Sequence, residues 1–330
     1  MKPRPLTVNK EALQALDKKI TDDKKAISKQ LNDMQEKQKV LKQEIEADQM
    51  DERIYKEKNN LIQLDFWANC QRGVPNSMLR GCLFSGVKTT EKSYLRELLF
   101  ENDSIKIVFS GHKLRQSDMD VWETILHLAR MQALGNKIDT TEYNLLKVMG
   151  IKGRGKENYE RLRDSIAKLG TAWVEITHDG LTYRGHLIGD GVSEESTERL
   201  ILKINPAMAR LYEGNRATWL QWDERQKIGQ SPMAKWLHGY ISSHAKWYPH
   251  KVETLKKYSG SEADTTPEYK KTLISALKRL EKRGLILSYR IDEKDLVYIE
   301  RNATDAQKRH IDGKNKEYNK VKSLQRNTRA

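Results

Sequence analysis

Not one of the chain's 19 glycines precedes Gly73. Glycine lets a backbone enter left-handed turns and close helices, so the first 72 residues are poorly equipped to fold back on themselves. Their only prolines are Pro3 and Pro5, and Lys, Gln, Glu and Asp dominate, a composition that forms helix but has little to bury. Leu13, Ile20, Ile27, Met34 and Leu41 recur every seven residues and would share one seam of a supercoiled helix. The companion column, after Leu16, reads Asp23, Gln30, Lys37 and Glu44. Two readings of residues 1–60 follow. One is a short coiled coil that pairs two copies or docks a partner. The other is a solvated, partly disordered arm, because an isolated helix with a half-filled seam is marginal in water.

With 330 residues and 37% hydrophobic content the chain can bury two modest cores. A formal net charge of +14 favours a polyanionic partner, nucleic acid ahead of an anionic membrane surface. The longest uninterrupted apolar run is Leu296 to Ile299, far short of the roughly 20 residues a bilayer requires. The N-terminus has no apolar stretch of the secretory kind, and Cys70 and Cys82 alone make neither a disulfide framework nor a metal-binding cluster. These features predict a protein of a reducing cytoplasm.

Beyond Gly73 one order of elements occurs twice. Residues 104–110 have strand composition, and Ser117-Asp118 is placed to cap an amphipathic helix carrying Val121, Trp122, Ile125, Leu126, Leu128 and Ala129. A short helix follows at 140–149 and stops at Gly150. The basic loop IKGRGK leads to a second helix at 157–169, and strands at 171–178 and 181–188 flank an Asp179-Gly180 turn. Downstream, a helix near 231–247 precedes a short one at 251–259 closed by Gly260. Thr266-Pro267 opens a helix that runs to Gly284, and strands at 285–291 and 295–301 surround a turn at 292–294. Leu145, Gly150 and Tyr159 match Leu255, Gly260 and Tyr269, each pair 110 residues apart. Helix, turn, helix, hairpin is the order of a winged helix-turn-helix. The predicted class is therefore α+β, mainly α, with two tandem units of this kind. The expected boundaries are an arm at 1–60, a linker at 61–73, winged-helix domains at 74–215 and 216–301, and a disordered basic tail at 302–330.

In each unit the second helix is apolar on one side and cationic elsewhere. Leu162, Ile166 and Leu169 face inward, leaving Arg161, Arg163 and Lys168 on or beside the open face, with Lys152, Arg154 and Lys156 in the loop before them. In the second unit Leu273, Ile274, Leu277 and Leu280 face inward, and Lys270, Lys271, Lys278, Lys282 and Arg283 are mostly outside. Such a cylinder suits a major groove, where long donors read base edges and flanking cations hold phosphates. An ordinary solvated basic face is the alternative for either helix taken alone.

The sequence argues against other chemistry. GIKGRGK has the spacing of a phosphate-binding P-loop, but Glu157 stands where a magnesium-binding Ser or Thr is needed, and the segment follows a helix. His238, His244 and His250 recur every six residues, a step that does not keep neighbours on one helical face. No cofactor and no catalytic activity are predicted. Trp173, Trp219 and Trp222 read as core. The segment LIQLDFW at 61–67 reads either as a core edge or as an extended peptide whose Leu64, Phe66 and Trp67 fill a groove on another protein.

VPNSMLRGCLF at 74–84, SDMDVWETILHLARMQALG at 117–135 and SPMAKWLHGYISSHAKWYPHKVETL at 231–255 resemble the TrfA family of plasmid replication initiators, a likeness running over roughly residues 63–301. The resemblance implies a bacterial cytoplasmic protein that binds repeated double-stranded origin sites (iterons), opens an adjacent A+T-rich region whose single strands it can hold, and shifts between monomer and dimer. It further implies work with DnaA, the DnaB helicase and the sliding clamp. The family's clamp peptide resembles Gln-Leu-Ser/Asp-Leu-Phe; Gln63, Leu64 and Asp65 match it, whereas Phe66 and Trp67 replace its last two residues. A winged-helix repressor that binds an operator without melting an origin is the alternative function.

Overall fold

The computed structural model describes residues 67–87, 92–130, 137–153, 155–194 and 198–304, with short pieces at 32, 34–39, 307–309 and 311–313. The chain divides into two compact parts, Met1–Asn59 and Asn60–Ala330. In the N-terminal part residues 34–39 are helical and Met34 is exposed; the rest of the predicted heptad seam lies outside the described residues.

The described residues from 67 on mix helix and sheet, with more strand than the mainly helical class predicted, because segments that looked like loops in the sequence extend and pair. Strands β1 (Gln71–Pro75), β2 (Phe84–Ser85), β3 (Ser93–Glu101), β4 (Ile105–His112) and β5 (Leu114–Arg115) precede the first long helix, with α1 (Asn76–Arg80) between β1 and β2. Helix α2 (Gln116–Ala129) begins where the Asp118 carboxylate accepts the backbone N–H of Arg115 at 2.8 Å, so Asp118 caps from the first turn, not from the position before it. There follow β6 (Lys137–Thr141), α3 (Glu142–Val148) and α4 (Lys156–Thr171). Thr141 caps α3 by accepting the N–H of Asn144 at 3.0 Å.

The predicted Asp179-Gly180 hairpin forms as β7 (Trp173–His178) and β8 (Leu181–His186), with both turn residues at positive φ, as a two-residue hairpin turn requires. Its partners differ from those expected of a wing. β7 pairs with β4, giving a four-stranded antiparallel sheet in the order β3-β4-β7-β8. The strand between α2 and α3 pairs instead with β10 (Arg199–Lys203), which pairs with β9 (Gly191–Glu194), in the order β6-β10-β9. Alternation in Leu200, Leu202 and Ile204, all buried, supplies the inward face.

A 3-10 turn (Pro206–Tyr212), β11 (Ala217–Gln221, paired with β1) and α5 (Trp222–Ile228) lead into the second half. There α6 (Pro232–Ser242), β12 (His250–Lys251), α7 (Val252–Tyr258), α8 (Thr266–Lys282), β13 (Ser288–Ile291) and β14 (Leu296–Glu300) follow in turn. Thr265, one residue earlier than predicted, caps α8. The sheet order is β12-β14-β13, the same strand-for-strand order as β6-β10-β9. Two cores result. One runs from Trp67 to Leu220, the other from Ile228 to Ile299.

The repeat is visible in detail at the turn between the short and the long helix of each unit. Leu145 and Leu255 are fully buried. Gly150 (φ 80°) and Gly260 (φ 67°) both sit in the left-handed region, where a Cβ is disfavoured, and donate their N–H groups to Lys147 and Lys257 carbonyls. The tyrosine pair is not equivalent. The buried faces of α4 and α8 align at an offset of 111, Leu162 with Leu273, Ser165 with Ala276 and Leu169 with Leu280, so Tyr269 is buried while Tyr159 is only half-buried. Each buried leucine in these faces contributes roughly 2 kcal/mol by leaving water.

The C-terminal segment is anchored where it leaves the second core. The Gln307 amide donates to the Ser242 and His244 carbonyls at 3.0 and 3.2 Å, the Arg301 guanidinium also donates to His244, and residues 307–309 and 311–313 are helical. Gln307, within the stretch expected to be a disordered tail, is thus docked on the carbonyls that end α6. Residues 314–330 lie outside the described residues.

Candidate nucleic-acid interface

Helical spacing puts the residues opposite each buried stripe on the most outward line of α4 and α8. On α8 that line reads Glu268, Lys271, Ser275, Lys278 and Lys282, all exposed. On α4 the aligned positions are Glu157, Glu160, Asp164, Ala167 and Thr171, also exposed. The same surface position is therefore cationic in one unit and anionic in the other. Over its length α8 carries five cations against Glu268 and Glu281, and α4 carries four against Glu157, Glu160 and Asp164.

The predicted cations of the first unit lie on the flanks of α4 and are held by carboxylates. Arg161 pairs with Glu157 at 2.5 Å, Lys156 with Glu160 at 3.6 Å, and both ends of the Arg163 guanidinium with Glu142 of α3 at 2.8 Å. Lys168 is half-buried beside Asp118, whose carboxyl burial pushes up from its usual range against the hydrogen bond from Ser165. Lys152 is exposed in the loop, and Arg154 lies outside the described residues. The cations of α4 thus lie beside its outermost line, which Glu157, Glu160 and Asp164 occupy, and Lys156, Arg161 and Arg163 are paired with carboxylates.

In the second unit Lys270 reaches across to the turn of the β13–β14 hairpin and pairs with Asp295 at 2.5 Å, tying the hairpin to the helix. Among the described residues no carboxylate pairs with Lys271, Lys278, Lys282 or Arg283, and all four are exposed. Unpaired ammonium groups on one helical line are available to phosphates without first losing an internal partner.

Trp67 is 2% exposed, donates its indole N–H to His127 Nδ1 at 3.1 Å and stacks on Tyr212 with ring centroids 6.1 Å apart. It belongs to the core and is not part of an accessible peptide, because the indole wedges between α2 and the 3-10 turn. Gln63, Leu64, Asp65 and Phe66 lie outside the described residues. Trp222 is buried, and Trp173 and Trp219 are half-buried.

Sequence reading missed a buried ionic cluster where the two cores meet. Arg225 of α5 donates to Asp120 Oδ1 at 2.7 Å and to Gln116 Oε1 at 3.0 Å, and lies 3.5 Å from Glu123. Lys235 of α6 also pairs with Asp120. Burial alone would raise the Asp120 carboxyl, but Arg225 and Lys235 hold it below its usual value. Burial pushes Glu123 up to about 7, against the pull of Arg225 and with the push of Asp120. The available signal was two acids, Asp120 and Glu123, set among the apolar positions of α2.

One helix–turn–helix–sheet unit built twice, with a line of lysines on the last helix of the second copy that have no carboxylate partner among the described residues, defines a tandem-repeat α+β protein with a candidate polyanion-binding face. The chain belongs to the TrfA family, described as TrfA protein, which matches residues 24–301. The curated plasmid replication initiator protein TrfA of Escherichia coli is 26% identical over 254 residues. The match covers 73% of this chain and 65% of that relative's length. Two solved structures, both described as crystal structures of domains 2 and 3 of RctB, are similar at 14% and 15% identity. They cover 70% and 62% of this chain and 100% and 83% of their own, with TM-scores of 0.49 and 0.41. No helix among the described residues is long and apolar enough to cross a membrane.

Proposed function

We propose that this protein is a plasmid replication initiator without catalytic activity of its own, whose two units are winged helix-turn-helix domains that bind repeated origin DNA. The observation that carries the reading is the α8 line of Lys271, Ser275, Lys278 and Lys282, whose lysines have no carboxylate partner among the described residues, set on the helix that follows a tight glycine turn. In the winged-helix arrangement that helix enters the major groove. Family membership supports the origin as target.

The β9–β10 and β13–β14 hairpins hold the wing positions, since each pairs with the strand between the first two helices of its unit. The first unit adds Lys152, Lys156 and Lys168 as phosphate contacts beside the second unit's base readout. Opening of an A+T-rich segment then requires tighter binding to the melted or bent form than to the relaxed duplex, because that difference alone shifts the equilibrium.

Binding to direct repeats near the encoding gene tests the reading. Lys271→Ala with Lys278→Ala is expected to weaken repeat binding well beyond the loss on unrelated duplex; equal losses on both would remove base readout by α8. Permanganate-reactive thymines in the adjacent A+T-rich segment separate an initiator from an operator-binding repressor, which leaves them unreactive. Recruitment of DnaA, DnaB and the sliding clamp belongs to the same proposal. With Trp67 fixed in the core, a clamp contact falls to Gln63, Leu64, Asp65 and Phe66, and undiminished clamp retention by Leu64→Ala with Phe66→Ala would discard it.

A further inference from the structure

Helix α5 carries the chain from the first core, which ends at Leu220, to the second, which starts at Ile228. What fixes the angle between those cores differs on its two sides. On one side the packing is close and apolar. Leu79 lies against Gly239, where a Cβ would meet its Cδ2 at 2.8 Å, and Trp236 lies against Gly86 and donates its indole N–H to the Gly81 carbonyl at 3.1 Å. On the other side the helices do not close. A cavity of about 850 Å³ is bordered there by α2, α4, α5 and the start of α6, with Leu162, Ser165, Gln226 and Pro232 among its walls. The ionic cluster spans the two cores at the edge of this gap.

Arg225 is the centre of that cluster and is 1% exposed. Beyond Asp120 and Gln116 it donates to the Lys235 carbonyl at 3.3 Å, so a single guanidinium touches α2 in the first unit and α6 in the second. Asp120 receives both Arg225 and Lys235, and no cation of its own helix takes their place in the described contacts. A buried ion pair roughly breaks even in stability against apolar residues of the same volume. Its fork of directed hydrogen bonds nevertheless tolerates little displacement. The apolar side therefore acts as a pivot and the guanidinium as the stop that selects one angle about it.

We propose that Arg225 is a positioning residue that sets the distance and angle between α4 and α8, and so the spacing between the DNA segments the two units engage. The DNA part of this assignment rests on the function proposed above. Each base pair inserted between two contacts displaces the second by about 3.4 Å along the axis and about 35° around it. A rigid pair of units rejects such sites, and a loosened pair accepts them.

The experiment compares the full chain with Arg225→Met, which keeps bulk and removes the donors, on the parent repeat and on repeats with one or two base pairs inserted at the centre. The wild type is expected to lose on the order of a hundredfold per inserted site relative to the parent. For Arg225→Met the expected loss is less than about tenfold, from a parent-site affinity itself lowered about tenfold. An unchanged ratio between parent and inserted sites overturns the proposal. A second readout needs no DNA. With Cys70→Ser and Cys82→Ala removing native thiols, spin labels at Lys152→Cys and Lys294→Cys report the distance between units. The Arg225→Met distribution is expected to broaden, and an equally narrow one overturns the assignment. Failure of the wild type to bind repeated DNA would fell the functional reading while the label distances still decide the positioning role. Should Arg225→Met not fold, Lys235→Met removes one cation of the same cluster and is read by the same two measurements against the same outcomes.

Discussion

The two repeated units share a strand order and a glycine turn, yet they spend their polar residues in opposite directions. In the first, α2 turns Asp118, Asp120, Glu123 and His127 inward, and α4 shows acids along its outer line. In the second, α6 buries Trp236 and Tyr240, and α8 shows lysines outward. A repeated fold therefore does not impose a repeated surface. The inward faces must match because both units need a packed core, whereas the outward faces can diverge. Under the proposed function the divergence is a division of labour in which α8 reads bases, while the first unit adds phosphate contacts and supplies Asp120, the acid that receives Arg225 and Lys235.

Transplanting the α4 line onto α8 breaks that division most severely. Lys271→Glu, Ser275→Asp and Lys278→Ala replace two cations and a hydroxyl with the residues found at the aligned positions of α4. At about 1–3 kcal/mol for each base or phosphate contact, the expected loss in repeat affinity is roughly a thousandfold. Because all three sites are exposed, the melting temperature is expected to hold nearly constant. Retained binding in a gel-shift or fluorescence titration would move the reading surface elsewhere.

The inward investment of the first unit has a signature in pH. Glu123 has a folded-state pKa of about 7, above its ordinary value of 4.5, so the fold favours the protonated carboxyl. The stability this contributes is complete below pH 4.5 and is lost as pH rises through 7. Arg225, Asp120, Arg72 and Lys235 face the group, and Arg225 limits the effect. His127 and His244, lowered by burial to about 3 and about 4, act with the opposite sign and lose stability as pH falls. The measurement is therefore a difference between wild type and Glu123→Gln in urea unfolding from pH 5 to 8. The variant is expected to gain on the wild type as pH rises, by roughly 3 kcal/mol at most. A gap that does not change with pH would mean the carboxyl stays ionised against Arg225 throughout.

Much of this architecture was legible in the sequence where local rules decide it. Gly150 and Gly260 marked the turn, and the leucine spacing the buried faces of α4 and α8. What remained illegible depended on pairing across distance. The hairpin at Asp179-Gly180 was identifiable, but nothing local says that β7 joins β4 or that β9 and β10 take the place beside β6. Nor does counting the cations of α4 reveal that Glu142, on another helix, holds Arg163. The Asp120–Arg225 contact links residues 105 apart and left no periodic trace.

A gain of function sharpens the comparison from the other side. Glu160→Lys with Asp164→Ser gives α4 the residues that Lys271 and Ser275 supply to the α8 line. If the first unit's outer face lies against the duplex, the affinity for any duplex is expected to rise about tenfold and the salt dependence to steepen by about one counterion. Unchanged affinity and slope would place that face away from the phosphates.

The smallest effect belongs to Arg163. Its guanidinium is held at both ends by Glu142, an exposed pair worth about 0.5–1 kcal/mol to the contact between α3 and α4. A cation already held in this way must give up its carboxylate before it takes a phosphate, so Arg163→Ala is expected to change DNA affinity less than about threefold. Lys271→Ala, which removes a cation with no carboxylate partner among the described residues, is expected to cost at least tenfold. Equal losses from the two substitutions would show that the Arg163–Glu142 pair opens on DNA, and the first unit would then read the duplex alongside the second.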